Sequence, residues 1–303
     1  MTPIEEALKR NRPHLSISSV RTYTSIIRNL AKQLGVEPEA GFFEKEHHKV
    51  MEHLQKNVRP DRRKTILAAL VSLTGKGKAT DEYRVQMSKD ADDYDEKKEA
   101  QTMTDRDKQN WVGQDHVLSV YKTLLKDTHL FNKPTLTIAE KDRLQNLVIL
   151  SLYVLIPPRR SLDYVTMKIR NFNKDDDNFF DKSTLFFNKY KTSKKYGEQI
   201  IKCPPKLAVM LRRWKAKQDS DYLLTGKNNS PLSQSQLTLR LNKIFGGKRV
   251  GTNLLRKMYL SDKYKDVPQL KEMSETAREM GHSVGEALSS YVKHPDKKGE
   301  NKE

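Results

Sequence analysis

Arg256 in the stretch Gly251-Thr-Asn-Leu-Leu-Arg-Lys, His282 in Met280-Gly-His-Ser, and Tyr291, nine positions after that histidine, are residue types that can work together on a phosphate. A guanidinium and an imidazole can hold the oxygens while a phenol attacks phosphorus. Upstream lie Arg159 and Arg160, followed by Asp163, and then Lys191 in a lysine-rich stretch with Lys189, Lys194 and Lys195. Attack on a phosphodiester builds charge on its non-bridging oxygens, and two guanidiniums can each fork onto them while staying charged at any relevant pH. Arg160 and Arg256 are the candidates for that pair, and Arg159 could exchange roles with Arg160. A phenol has an ordinary pKa of about 10, so Tyr291 needs a base or a cationic site to become a nucleophile. The leaving oxygen needs a proton, which Lys191 could supply. The competing readings are structural: Arg160 paired with Asp163, His282 closing a helix after Gly281, and Tyr291 in a core with Val284 and Leu288 at helical spacing.

Charge points to the substrate. The chain has 303 residues and a net charge of +18, spread as +7 over residues 1–80, −5 over 81–120 and +16 over 121–303. Two basic segments flanking an acidic one attract polyanions and release their counterions, so nucleic acid is the expected partner. Cys203 is the only cysteine, which rules out an intramolecular disulfide or a cysteine-based zinc site. No apolar run reaches the roughly 18 residues of a membrane span, and the N-terminus lacks a signal-peptide layout. An intracellular protein, in cytoplasm or nucleus, is expected, with the Asn228-Asn-Ser sequon unused.

These residues need elements to position them. Apolar positions at Val20, Tyr23, Ile26, Ile27, Leu30 and Leu34 mark a helix capped near Ser16 or Ser18 and stopped by Gly35. Helical patterns follow over 42–54 and 62–73, the latter closed by the Gly75-Lys-Gly-Lys turn, with an extra turn at Ile4 to Lys9. Residues 1–80 are thus expected to form a helical DNA-binding domain, with Arg21, Arg28, Arg62, Arg63 and Lys64 available for phosphates. Residues 81–110, dominated by charge, read as an acidic linker or a connecting helix. A second domain is expected over 111–303. Its core begins at Trp111 and runs through Val117, Tyr121, Leu124, Leu125 and an apolar helix from Leu144 to Leu155, which Pro157-Pro158 terminate. Strand signals occur only at 184–190 and 199–203, a hairpin with a basic turn that carries Lys191 and Lys194. Helical patterns return over 205–217, 233–245, 252–263 and 270–280. The architecture is therefore mainly α with one small antiparallel β-hairpin sheet.

Other motifs fail. Thr74-Gly-Lys-Gly-Lys lacks P-loop spacing, His48-Lys-Val-Met-Glu-His53 is one residue too long for an inverted zinc-protease motif and reads as surface histidines, and the Asp175-Asp-Asp run reads as a turn before the hairpin.

In order and spacing, Arg160-Ser-Leu-Asp163, Lys191-Thr, Asn253-Leu-Leu-Arg256, Gly281-His282 and Tyr291 resemble the tyrosine recombinase (phage-type integrase) superfamily. The resemblance covers about 111–291. It implies a helical core-binding domain joined to an α+β catalytic domain, and a 3′-phosphotyrosine intermediate formed by Tyr291 without metal, ATP or other cofactor. It also implies a homo-tetramer assembled on double-stranded DNA; divergence from the common bacterial patterns and the lysine-rich composition point to a mobile-element or viral origin. One departure stands out: the family's box begins with histidine where this chain has Asn253, which cannot accept a proton near neutral pH. Two enzymatic alternatives share the constellation, a type IB topoisomerase and a telomere-resolving relative. A DNA-binding protein that has lost the chemistry is the third.

Overall fold

The computed structural model describes residues 2–281, 283–286 and 288, which fall into two compact units: 2–102 together with the described residues from Pro268, and 103–267. In the first unit, α1 (Pro3–Asn11), α2 (Ile17–Leu34), α3 (Ala40–Lys45), α4 (His47–Asn57) and α6 (Lys78–Glu99) pack around α5 (Pro60–Thr74). The central helix is apolar nearly all round, with Ile66, Leu67, Ala69, Leu70, Val71 and Leu73 buried, as a helix wrapped by neighbours must be. Its C-terminal carbonyls would be orphaned at Gly75, and Asn11 donates to Leu73 O at 2.6 Å to satisfy one. The expected caps of α2 hold: Ser16 accepts from Ser19 N, and Gly35 takes the left-handed conformation at φ 68°.

The expected helix over 42–54 is two helices, because the chain bends at Glu46 between α3 and α4. Residues 81–110 contain more than a connector. The start of α6 belongs to the first core, where Ala79 and Tyr83 are buried and Tyr83 donates its hydroxyl to Phe43 O at 2.7 Å. The apolar stripe there is too short to register as a helical period amid the surrounding charge.

The second unit holds α7 (Asp105–Asn110), α8 (Gln114–Leu124), a 3-10 segment (Leu125–Asn132), α9 (Ile138–Val154), α10 (Ser161–Val165), β1 (Phe179–Asp181), β2 (Thr184–Phe187), α11 (Ser193–Tyr196), β3 (Gln199–Lys202), α12 (Pro205–Ala216), α13 (Gln234–Ile244) and α14 (Thr252–Lys263). α9 starts in a capping box between Thr137 and Glu140, and its buried stretch packs against α8, α12 and α13. Fully buried Trp214 on α12 donates its indole N–H to Leu223 O at 2.8 Å.

The sheet is a three-stranded antiparallel meander in the order β1-β2-β3, with Phe179 opposite Phe186 and Leu185 opposite Ile201. β1 was not expected. It begins only two residues after the Asp175-Asp-Asp run, whose charge hid a three-residue strand; Phe179 stacks between Phe172 and Phe186 at 4.3 and 4.4 Å. The expected strands end earlier, at Phe187 and Lys202, and the basic turn between them contains the short helix α11.

Two further helices, α15 (Leu270–Glu279) and α16 (Val284–Glu286), group with the first unit rather than with the second, where the sequence reading put them; Leu270 N donates to Gln101 Oε1 at 2.8 Å. Among the described residues no helix is long and apolar enough to cross a membrane.

Candidate functional site

The break after α9 sets up the site. Leu155 ends the helix, Pro157 and Pro158 prevent its continuation, and the chain runs extended to Arg160, which caps α10 at φ −72°, ψ 154°. The two adjacent arginines therefore point to different surroundings. Arg159 is locked: Nε donates to Asp163 Oδ2 at 3.0 Å, Nη1 donates to Gln199 Oε1 at 2.6 Å, and its guanidinium lies 3.9 Å over Phe187 and 5.1 Å from Tyr190. Asp163 is 3% exposed and its Oδ1 has no hydrogen-bond partner among the described residues. Burial pushes its carboxyl above the ordinary range, with Arg159 pulling in the opposite sense.

Because Arg159 takes the carboxylate, Arg160 does not pair with Asp163. Partly buried Arg160 has no ion pair or hydrogen-bonded side chain among the described residues. The same holds for Arg256, which projects from α14 between buried Leu254, Leu255 and Met258. Lys257, the next residue, ties α14 to α7 through Asp107 Oδ2 at 2.6 Å. Burial lowers the affinity of Arg256 for its proton, and the field of Arg160 adds to that, with Asp163 opposing and Arg159 contributing again. Arg159, Arg160, Arg256 and Asp163 thus share one neighbourhood, with three guanidiniums to one carboxylate. Buried Tyr153, which the sequence reading did not single out, completes it; burial holds its phenol protonated well above the ordinary range, and its hydroxyl has no hydrogen-bond partner among the described residues. Such a site favours an anion that can accept two forks at once.

Lys191 is exposed on the β2–β3 connection. Its neighbour Tyr190, also missed, anchors that connection, donating its hydroxyl to Gly197 O at 2.7 Å beneath the guanidinium of Arg159. Gln199, Phe187 and Tyr190 lie on or beside the expected hairpin, so their apolar and polar alternation was the available signal; their convergence on Arg159 was not. Lys194 is exposed on α11, and Asn253 is exposed at the second position of α14. His282 and Tyr291 lie outside the described residues.

On the first unit, Arg21 and Arg28 are exposed two turns apart on α2, hence on one face, and Arg62 is exposed on α5. Arg63 is not an available cation. It donates from Nε and Nη2 to the two oxygens of Asp90, at 2.8 and 2.5 Å, and Asp90 is 1% exposed. One turn of helix carries an acid from the charged segment inward, and the arginine next to Arg62 turns in to meet it. Half-buried Lys64 sits 5.1 Å over Tyr94. No family model and no curated protein matches the chain, which leaves the guanidiniums of Arg160 and Arg256, without a partner among the described residues, as the observation from which its chemistry is inferred.

Proposed function

We propose that this chain is a DNA strand-transfer enzyme of the tyrosine-recombinase type, with a helical core-binding domain and an α+β catalytic domain. The observation that carries the reading is the pair Arg160 and Arg256, two partly buried guanidiniums that raise each other's electrostatic energy and have no carboxylate of their own among the described residues. A phosphodiester relieves both. Its two non-bridging oxygens take one fork each, and the added charge of the transition state strengthens the same contacts.

In the proposed reaction the phenolate oxygen of Tyr291 attacks phosphorus, and the bond from phosphorus to the 5′-oxygen breaks. That oxygen takes a proton from Lys191 and leaves as a 5′-hydroxyl. The reverse step, with the 5′-hydroxyl of a partner strand, rejoins the DNA and frees Tyr291. His282 holds a phosphate oxygen, while Asp163 acts through Arg159 to position the segment that carries Arg160. The chemistry asks for no metal or nucleotide, and exchange of two duplexes calls for a homo-tetramer on double-stranded DNA in the compartment that holds the substrate. Arg21, Arg28 and Arg62 supply sequence-independent phosphate contacts.

The test is incubation with a nicked suicide duplex, from which the cleaved strand cannot be rejoined. Wild type should form a covalent protein–DNA adduct that Tyr291→Phe lacks; no adduct in wild type, or an adduct in both, refutes the reading. A monomer on DNA that relaxes supercoils would instead favour a type IB topoisomerase. Asn253 supports a second reading. An exposed amide where the family has a proton acceptor suits a clamp that binds DNA without cutting it, and binding with no adduct is its signature.

A further inference from the structure

We propose that His47, His48 and Glu82 form a binding site for a divalent transition-metal ion of the zinc class in the first unit, independent of the DNA chemistry. His47 is the first residue of α4, set inward by the bend at Glu46, and is 9% exposed. Its Nδ1 lies 3.1 Å from Glu44 O, and because a carbonyl only accepts, Nδ1 carries the hydrogen. In the neutral ring Nε2 is then a bare lone pair. It is buried, has no hydrogen-bond partner among the described residues, and faces Glu82 Oε2 at 3.2 Å, a contact that becomes an ion pair when the ring is protonated. His48 Nδ1 approaches the same oxygen at 3.5 Å, and one ligand atom from each of the three residues lies within 4.8 Å of the others.

One ligand atom from each of the three residues thus converges on a place a cation can occupy. Protons on His47 Nε2 and His48 Nδ1 bridge the two contacts separately, whereas one metal ion joins all three residues at once. Zinc bonds of about 2.0–2.1 Å in a tetrahedron put neighbouring ligand atoms roughly 3.3–3.4 Å apart, and the two observed separations bracket that edge. The hydrogen bond from His47 Nδ1 to a backbone carbonyl is also the outer-shell contact that fixes a ligating imidazole in its tautomer and raises its basicity.

The supports are rigid. Tyr83, next to Glu82, is fully buried and bonded to Phe43 O on α3, so the carboxylate and the α3–α4 bend are held against each other. The site also opens to solvent, since the His48 side chain is 73% exposed and an open groove lined by Met51, Lys78, Asp81, Glu82 and Val85 runs beside it. A water can therefore complete the coordination. The ion would clip the start of α4 to α6, and its binding would stabilise the folded unit.

The test uses the full chain, freed of metal by chelation. Zinc chloride is titrated by calorimetry and cobalt chloride by visible absorption, with thermal unfolding followed by circular dichroism. His48→Asn and Glu82→Gln are the informative variants, because both side chains reach solvent; His47→Asn alone would confuse lost binding with lost packing. The expected result is one ion per chain, tetrahedral cobalt bands and a higher Tm with zinc. Each variant should keep the wild-type spectrum without metal, yet weaken binding by more than the roughly 10- to 100-fold typical of losing an outer-shell partner. No saturable binding of either ion, or binding that both variants leave unchanged, overturns the proposal.

Discussion

Replacing Arg159 or Arg160 by alanine removes the same side chain from adjacent positions and should have opposite consequences. Arg159 neutralises Asp163, which is 3% exposed, and stacks on Phe187 at 3.9 Å. Its loss strands a buried carboxylate, and removing one partner of such a pair costs about 3–5 kcal/mol. Arg160 has no ion-pair partner among the described residues, so Arg160→Ala should stay within about 0.5 kcal/mol of wild type while losing DNA cleavage. Trp111 and Trp214 are the chain's two tryptophans and both lie in the second unit, so urea unfolding followed by tryptophan fluorescence reports this unit alone. Asp163→Asn in the Arg159→Ala background should recover part of the loss, with a coupling of about 0.5–3 kcal/mol.

The pH dependence has a definite sign. The folded-state pKa of Asp163 is raised above 3.8 by burial, against the pull of Arg159, and deleting Arg159 raises it further. The folded state then holds its proton more tightly than the unfolded chain, so the associated stability is full below 3.8 and is lost as pH rises through the folded value. The deficit of Arg159→Ala should therefore shrink as pH falls toward the ordinary carboxylate range. Equal deficits for the two alanine variants, or a deficit for Arg159→Ala that ignores pH, would refute this division of labour.

The same logic separates Arg62 from Arg63. Arg62→Ala should reduce DNA affinity and lower the salt slope by about one, measured by anisotropy over a salt series. Arg63→Ala strands buried Asp90 and should destabilise the first unit by about 3–5 kcal/mol, read by circular dichroism. Gln145→Leu removes a side chain that accepts from Thr225 N at 2.8 Å and donates to Thr225 O at 2.9 Å; two buried backbone groups lose partners, and second-unit stability should fall by at least about 1–3 kcal/mol in the urea assay. The bond from Lys133 leads the effects that depress Glu140 to about 2, so its contribution is present above its ordinary 4.5 and is lost as pH falls through about 2. Glu140→Gln should match wild type in acid melts and fall below it at neutral pH. Arg160→Lys should fail to form the suicide-duplex adduct, since an ammonium presents no fork.

Much of the helical framework was legible in the chain because it rests on local rules. The stripe from Val20 to Leu34 with its serine cap and Gly35 stop, and the proline pair after the apolar helix, announce α2 and the end of α9 with no reference to partners. Segments whose structure is imposed from a distance were not legible. β1 exists because β2 lies beside it, and the start of α6 is buried because Phe43 and α5 receive Tyr83.

The candidate site divides along the same line. Residue types, order and spacing led to the expectation that Arg160, Lys191, Arg256, His282 and Tyr291 form a set suited to phosphate chemistry, because a fork, an acid and a phenol are properties of side chains. Only the tertiary structure decided which arginine is free. Arg159 and Arg160 are indistinguishable in one dimension, and it took Gln199, Phe187 and Tyr190 from the β2–β3 region to draw one onto Asp163 and leave the other unpaired. Arg63 followed the same course, turned inward by an aspartate 27 positions away. Charge is written in the sequence, but whether a charge is spent on the fold or kept for a ligand depends on which opposite charge reaches it first, and chain topology settles that.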